Sequence, residues 1–255
     1  MKDKRYKVGS VHISATNPID AKEKITRFAI NGIGGYICVS NIRMIRYAGK
    51  HPEYVQLMEL ALMNFPDGKP LQWCAHLWGL ESVATTNGPS FFKTMLASGD
   101  KQMKHYLLGD TQDILDRILE KNNLEFHAQI VGSEALPFAE VNDFDYEQIA
   151  ARVAKSEANI VWTAMRAPKQ DEFNQRLSQY LPSVVCLGVG RAFRLLTGDV
   201  KDAPNWAHKI GIAGLFTRKV SLYQSLKWYF ESVLFLVGYI MQIIWLRLNG
   251  RRCDE

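Results

Sequence analysis

The sequence predicts an α/β protein: a parallel, Rossmann-like sheet flanked by helices, with a C-terminal helical appendage. Three observations predict it. Between Lys104 and Arg191, short apolar runs alternate with helix-like stretches, the pattern of parallel strands joined by right-handed crossovers. Several of those runs end in a glycine-bearing break just before a helix begins. Residues 201–255 differ in character, being more basic and more apolar. At 255 residues the chain has room for one large domain or two small ones. Hydrophobic residues make up 47% and charged residues 22%, which excludes wholesale disorder. The chain divides on this reading into an α/β core over 1–200 and an appendage over 201–255. Within the core, 1–100 and 101–200 form an N-terminal and a ligand-binding part.

The elements follow in order. Val8 to Ser14 alternates and reads as an edge strand or hairpin arm. Asn17-Pro18 opens a helix to about Asn31, with proline at the first turn, where its missing N–H costs nothing. Gly32, Gly34 and Gly35 end it, and Tyr36 to Ser40 is a short strand of the buried type. A helix is expected from about Pro52 to Met63, then a turn cluster over Asn64-Phe65-Pro66-Asp67-Gly68. Helices follow over Pro70 to Trp78 and from Ser90. Beyond Lys104 the expected strands are His105–Leu108, Glu125–Val131, Ala158–Thr163 and Ser183–Gly188. The intervening helices run to about Leu119, from Tyr146 to Ser156, and onward from Ala167-Pro168-Lys169-Gln170. A Gly/Ser/Pro-rich loop is expected over Gly132 to Phe138, and a short helix after Val189-Gly190-Arg191.

Charge is uneven. Residues 201–255 hold eight Lys and Arg against four Asp and Glu, so four of the five net positive charges lie there. Ser232 to Leu246 is also the longest uncharged apolar run. A membrane span needs about 20 apolar residues, and reaching that length here means including Glu231. The run therefore reads as an interfacial or shallowly inserted helix flanked by cations, with a core helix or oligomer interface as the competing reading and a true span behind both. Trp228, Tyr229, Tyr239 and Trp245 suit a headgroup boundary. Cys38, Cys74, Cys186 and Cys253 are far apart with no zinc spacing, which points to a reduced cytoplasmic interior. The start of the chain has no apolar stretch of the kind a secretory signal needs, and there is no repeat at a fixed period.

Three loops fall at the carboxyl ends of expected strands: Gly109–Thr111, Ala167–Gln170 and Gly188–Arg191. Ligands of parallel sheets sit there, and glycines permit close backbone approach to phosphate. Taken alone, plain packing glycines come ahead of phosphate binding, since neither a GxGxxG nor a GxxxxGK[ST] loop is present. The six histidines form no HExxH or close pair, and there is no GxSxG elbow.

Taken in one register, Asn41, Pro66-Asp67-Gly68, HYLLGDT (105–111), IVGSEALPF (130–138), APKQDE (167–172), LGVGRAF (187–193) and TGDVKDAPNW (197–206) carry a family likeness. From about residue 8 to 210 the chain resembles the WecG/TagA/CpsF family, glycosyltransferase family 26. The resemblance implies a bacterial enzyme of surface-polysaccharide or teichoic-acid synthesis. Such an enzyme moves a sugar, often of the N-acetylmannosamine type, from a UDP-sugar to a polyprenyl-diphosphate-linked sugar. It implies inversion at the anomeric centre, no cofactor, no metal, and a basic appendage that meets the membrane. The expected place is the inner face of the cell membrane, peripheral and cytoplasmic, with homo-oligomers in some members.

Asp67 is the first candidate for the base that takes the acceptor proton; the alternative is an Asx turn or a helix cap. Gln170 is implied to contact the donor sugar or its diphosphate, since its amide both donates and accepts. Lys169 either neutralises phosphate or is a solvated helix-start lysine. Asn41 either binds a sugar or caps the next helix. Gly109, Asp110 and Thr111, with Gly188 and Gly190, are assigned to the nucleotide. Arg218, Lys219 and Lys227 are assigned to a lipid diphosphate or the membrane surface. Three departures stand against this. Val39 replaces a family threonine, Ser82 occupies the place of a family arginine, and Gly214 to Arg218 lacks the family's aromatic-acidic character. They motivate an alternative, a non-catalytic nucleotide-sugar-binding scaffold of a polysaccharide assembly complex. A nucleic-acid partner is not expected, because the basic tail is too apolar.

Overall fold

The structure, a computed structural model, describes residues 3–216 and 222–249. The chain opens with a hairpin, β1 (Arg5–Val8) and β2 (Val11–Ser14), then α1 (Pro18–Ile30), β3 (Gly35–Ser40), α2 (Ile42–Ala48) and α3 (Pro52–Leu60). β4 (Met63–Pro66), α4 (Lys69–Leu77), α5 (Gly88–Ala97), β5 (Lys104–Gly109) and α6 (Gln112–Lys121) follow. Next come β6 (Gln129–Glu134), α7 (Tyr146–Lys155), β7 (Ile160–Ala164), α8 (Lys169–Tyr180), β8 (Val185–Gly188) and α9 (Ala192–Thr197). The described chain ends with α10 (Asn205–Lys209), α11 (Ala213–Phe216) and α12 (Leu222–Leu248).

The expected α/β class holds. Six strands form one sheet in the order β4-β3-β8-β7-β5-β6. The registered pairs β3–β8, β7–β8, β5–β7 and β5–β6 are all parallel. The chain interleaves two compact units. The first draws on Met1–Asn17, Ser40–Asn87 and Lys201–Glu255; the second on Pro18–Val39 and Gly88–Val200.

In the second unit, β5, β7 and β8 supply near-continuous buried runs, as strands covered on both faces do. Trp162 of β7 is fully buried and meets Phe92 edge-on with ring centroids 5.1 Å apart. Its indole Nε1 donates to His105 Nδ1 of β5 at 2.9 Å. The imidazole is therefore an acceptor inside the core, and burial pushes its pKa down to about 4.

In the first unit, Tyr6, Val8, Val11 and Ile13 of the hairpin are fully buried, and the Tyr6 hydroxyl donates to Leu71 O of α4 at 2.9 Å. α12 lies along this unit by one face. Tyr239 Oη donates to Lys7 O, Trp78 Nε1 donates to Tyr239 Oη at 3.2 Å, and Arg247 donates to Leu77 O at 2.8 Å. Arg46 of α2 pairs with Glu231, which holds that carboxyl below its usual range.

Two boundaries differ from expectation. The helix expected to Met63 ends at Leu60, and Met63–Pro66 is a strand with all four residues buried, not the start of a turn cluster. Asn64, a turn-type residue, finds acceptors for its donors in that strand, while its buried Oδ1 has no hydrogen-bond partner among the described residues. Its N–H donates to Ser14 Oγ, and its Nδ2 donates to His12 O and Met58 O, each at 2.8 Å. The strand expected over Glu125–Val131 begins at Gln129 and runs into the expected 132–138 loop as far as Glu134. Asn122–Phe126 winds instead into a π-helical turn. Asn122 secures it by bonding Ala128 through both its amide oxygen and its Nδ2, each at 3.0 Å. The short helix α2 was expected only through the reading of Asn41 as a cap.

Candidate functional site

β8, β7 and β5 are neighbours and parallel, so their carboxyl ends share one edge of the sheet. The structure thereby gathers the three predicted loops on adjacent strands of the second unit. Gly109 pairs with Ala164 at the end of β5, and Asp110 follows with φ at +61°, a left-handed conformation uncommon outside glycine. Asp110 receives a hydrogen bond from Thr111 N at 3.0 Å and ion-pairs with Arg194 of α9. Thr111 caps α6 by position and makes no side-chain capping bond. Asp110 is thus committed to protein partners, and its carboxylate is 7% exposed.

Gln170 is buried in the first turn of α8, and its Oε1 accepts from Gly190 N at 3.1 Å. It therefore pins the loop after β8 from below. Gly188 exists in its present form for this reason: a Cβ there would lie 2.6 Å from Gln170 Cδ. Lys169 turns aside from solvent. Its ammonium donates to Ala139 O and lies 5.3 Å and 5.8 Å from the Phe138 and Phe144 ring centroids. The lysine is half-buried and bonded to the segment after β6, so it is not simply solvated at the helix start.

In the first unit, Asp67 follows β4, and its backbone N–H donates to Ser40 O at 2.7 Å. Thr86 N donates to Pro66 O at 2.9 Å, so the PDG turn is held from both sides. The helix cap is Gly68, at φ +97° and ψ 153°, and it makes no side-chain capping bond. Asp67 is therefore not the N-cap of α4; its side chain is half-buried beside the helix start. Asn41 does cap: its side chain accepts from Met44 N at 3.3 Å at the start of α2.

Of the tail candidates, Lys227 is exposed on α12, while Arg218 and Lys219 lie outside the described residues. Among the described residues, no group of three or more His, Cys, Asp or Glu is placed to hold a metal ion. Sequence reasoning missed a polar cluster behind the β7 and β8 loops. Thr163 Oγ1 donates to Asn174 Oδ1 at 3.0 Å, and Thr163, Asp171 and Asn174 are all buried. The available signal was Gln170, Asp171 and Asn174 recurring at helical spacing directly after a strand. Arg194 was missed as well, since a lone helix arginine has no sequence signature.

A profile of the glycosyl transferase WecG/TagA/CpsF family matches residues 6–249. Two bacterial relatives carry the name N-acetylglucosaminyldiphosphoundecaprenol N-acetyl-beta-D-mannosaminyltransferase. The one from Bacillus subtilis (strain 168) is 23% identical over 209 residues, 81% of this chain and 79% of the relative. The one from Bacillus spizizenii (strain ATCC 23059 / NRRL B-14472 / W23) is 24% identical over 174 residues, 68% of this chain and 66% of the relative. The family match takes in the PDG turn, the three strand-end loops and all of the described tail, and the chain belongs to the WecG/TagA/CpsF family of glycosyl transferases.

Proposed function

We propose that this protein transfers an N-acetylmannosamine-type sugar from a UDP-sugar to polyprenyl-diphosphate-linked N-acetylglucosamine, inverting the anomeric centre. Family membership and the shared name of the two relatives support the sugar and the acceptor. The observation that carries the reading is the PDG turn. Its backbone is fixed at Ser40 and Thr86 while the Asp67 side chain stays half-buried and outside the helix cap.

In the reaction, the Asp67 carboxylate accepts the proton of the acceptor hydroxyl. A base does this from about 2.6–3.2 Å or through one water. The freed oxygen bonds to the anomeric carbon, and the bond from that carbon to the UDP oxygen breaks. UDP leaves with the electron pair, and Asp67 gives its proton to solvent. Charge on the leaving diphosphate is dispersed by the strand-end loops of β5 and β8, the second held in shape by Gln170.

The acceptor is a lipid, and α12 suits the surface that carries it. One face of α12 is tied to the first unit by Tyr239, Arg247 and the Arg46–Glu231 pair. Phe230, Leu234, Met241 and Trp245 are exposed on the remainder. Leu226–Leu248 is long and apolar enough to cross a membrane by length and composition. The ion pair and the docked face favour a helix lying in the interface instead. Three buried free thiols, Cys38, Cys74 and Cys186, accord with the cytoplasmic side.

The test is UDP release by purified protein with a panel of UDP-sugars and polyprenyl-diphosphate-linked N-acetylglucosamine. Wild type is expected to release UDP only with acceptor present. Asp67→Asn is expected to fold normally and lose about 100-fold or more of that rate. Near-wild-type turnover by Asp67→Asn removes it as the base. UDP-sugar binding without transfer to any acceptor selects the scaffold reading.

A further inference from the structure

We propose that Arg194 is a diphosphate-binding arm of the donor site, aimed by Asp110. The inference rests on the UDP-sugar reading above and adds a residue to it. Arg194 Nε lies 3.0 Å and 2.9 Å from the two Asp110 oxygens, and Nη2 lies 2.6 Å from Oδ1. One edge of the guanidinium is thus fixed in two directions by a carboxylate that is itself only 7% exposed. The arginine side chain is 45% exposed. A guanidinium has five N–H donors in a planar fork. Asp110 occupies the Nε and Nη2 edge, and Nη1 makes no hydrogen bond or ion pair to any described residue.

The position of the pair supplies the ligand. Asp110 is the residue after β5, and Arg194 is on the helix after the β8 loop. Both loops leave the sheet at its carboxyl edge, on the two strands that flank β7. A cation bridging them has its free N–H groups where a phosphate between the loops needs donors. Asp110 accepts a left-handed φ to hold that place. A surface strut needs neither the buried carboxylate nor the unused fork.

The test is calorimetric titration of the full-length protein with UDP, UMP, uridine and inorganic pyrophosphate. Arg194→Gln is expected to weaken UDP about 10–100-fold, the loss of charge-assisted hydrogen bonds, with uridine unchanged. Pyrophosphate should weaken in parallel with UDP. Asp110→Asn should weaken UDP by a smaller factor, because the arm remains and its aim loosens. Unchanged UDP affinity in Arg194→Gln overturns the arm and leaves the donor reading standing. Equal weakening of uridine and UDP overturns it in favour of a strut. A wild type that binds neither UDP nor UDP-sugar overturns both readings. If Arg194→Gln fails to fold, Arg194→Lys keeps the charge and breaks the fork. It must then weaken UDP relative to uridine, and an unchanged ratio overturns the proposal.

Discussion

A Cβ at position 188 would sit 2.6 Å from Gln170 Cδ and 2.8 Å from its Nε2, closer than non-bonded atoms pack. Gln170 is buried, so it has no free space to retreat into, and its Oε1 is committed to Gly190 N. Gly188→Ala is therefore expected to destabilise by about 1–3 kcal/mol, through overpacking and strain on the Gly190 bond. Urea unfolding measures it. The double variant Gly188→Ala/Gln170→Ala removes the clash, so its loss should be less than the sum of the single losses. Simple additivity would show that the two side chains do not compete for space. At this scale the sequence was readable only in part. Gln170 was visible as a polar residue at a strand-to-helix junction, but a carbonyl oxygen spent on a loop N–H has no trace in residue order. Asp110 was assigned to the nucleotide by its loop, and its pairing with Arg194, 84 positions away, could not be read from residue order. Asn41 left two readings open, and the cap is the one visible in its hydrogen bonds.

Among elements, α12 shows how charge on one segment is resolved by another. Read along the chain, Glu231 interrupts the apolar run and argues against a membrane span. In the fold, Arg46 of α2 neutralises it, and a single helix continues through it from Leu222 to Leu248. The exposed residues Leu226, Phe230, Leu234, Val237, Met241, Trp245 and Leu248 recur at helical spacing, forming a stripe away from the docked side. Replacing Phe230, Met241 and Trp245 together by glutamine is expected to abolish sedimentation with anionic lipid vesicles. Stability in the absence of vesicles should hold within about 0.5 kcal/mol, as for exposed sites generally. Vesicle binding that survives the triple change would place the membrane contact elsewhere.

Across the whole molecule, stability carries a pH signature written by one core histidine. His105 is 1% exposed and is held neutral in the fold down to about pH 4, against 6.5 for a free histidine. Between those values the unfolded chain binds a proton that the folded chain does not, so stability falls as pH drops through that window. The loss reaches about 3 kcal/mol by pH 4, and above pH 7 this group contributes no slope. Urea unfolding at pH 7, 6, 5 and 4 measures it. His105→Gln should flatten the acid limb, and an equally steep limb in the variant would assign the slope to other groups.

The alternation of strands and helices from Lys104 to Thr197 was legible in residue order, because period and turn chemistry are local properties. So was the grouping of glycine-bearing loops at strand ends, and with it the family likeness that the profile match bears out. What residue order did not contain was partnership. β4 reads as the end of a helix plus a turn, since four residues are too few to show a period and Asn64 and Pro66 imitate loop chemistry. It is a strand in which Ser14, His12 and Met58 accept from the Asn64 N–H and Nδ2 in the interior. The π-helical turn at Asn122 displaced β6 for the same kind of reason, a side chain choosing backbone partners six residues on. Local pattern determined which segments become strands and helices. Tertiary structure alone decided which polar groups are spent inside the protein and which remain for a ligand, because a buried hydrogen bond needs two partners and only folding brings them together.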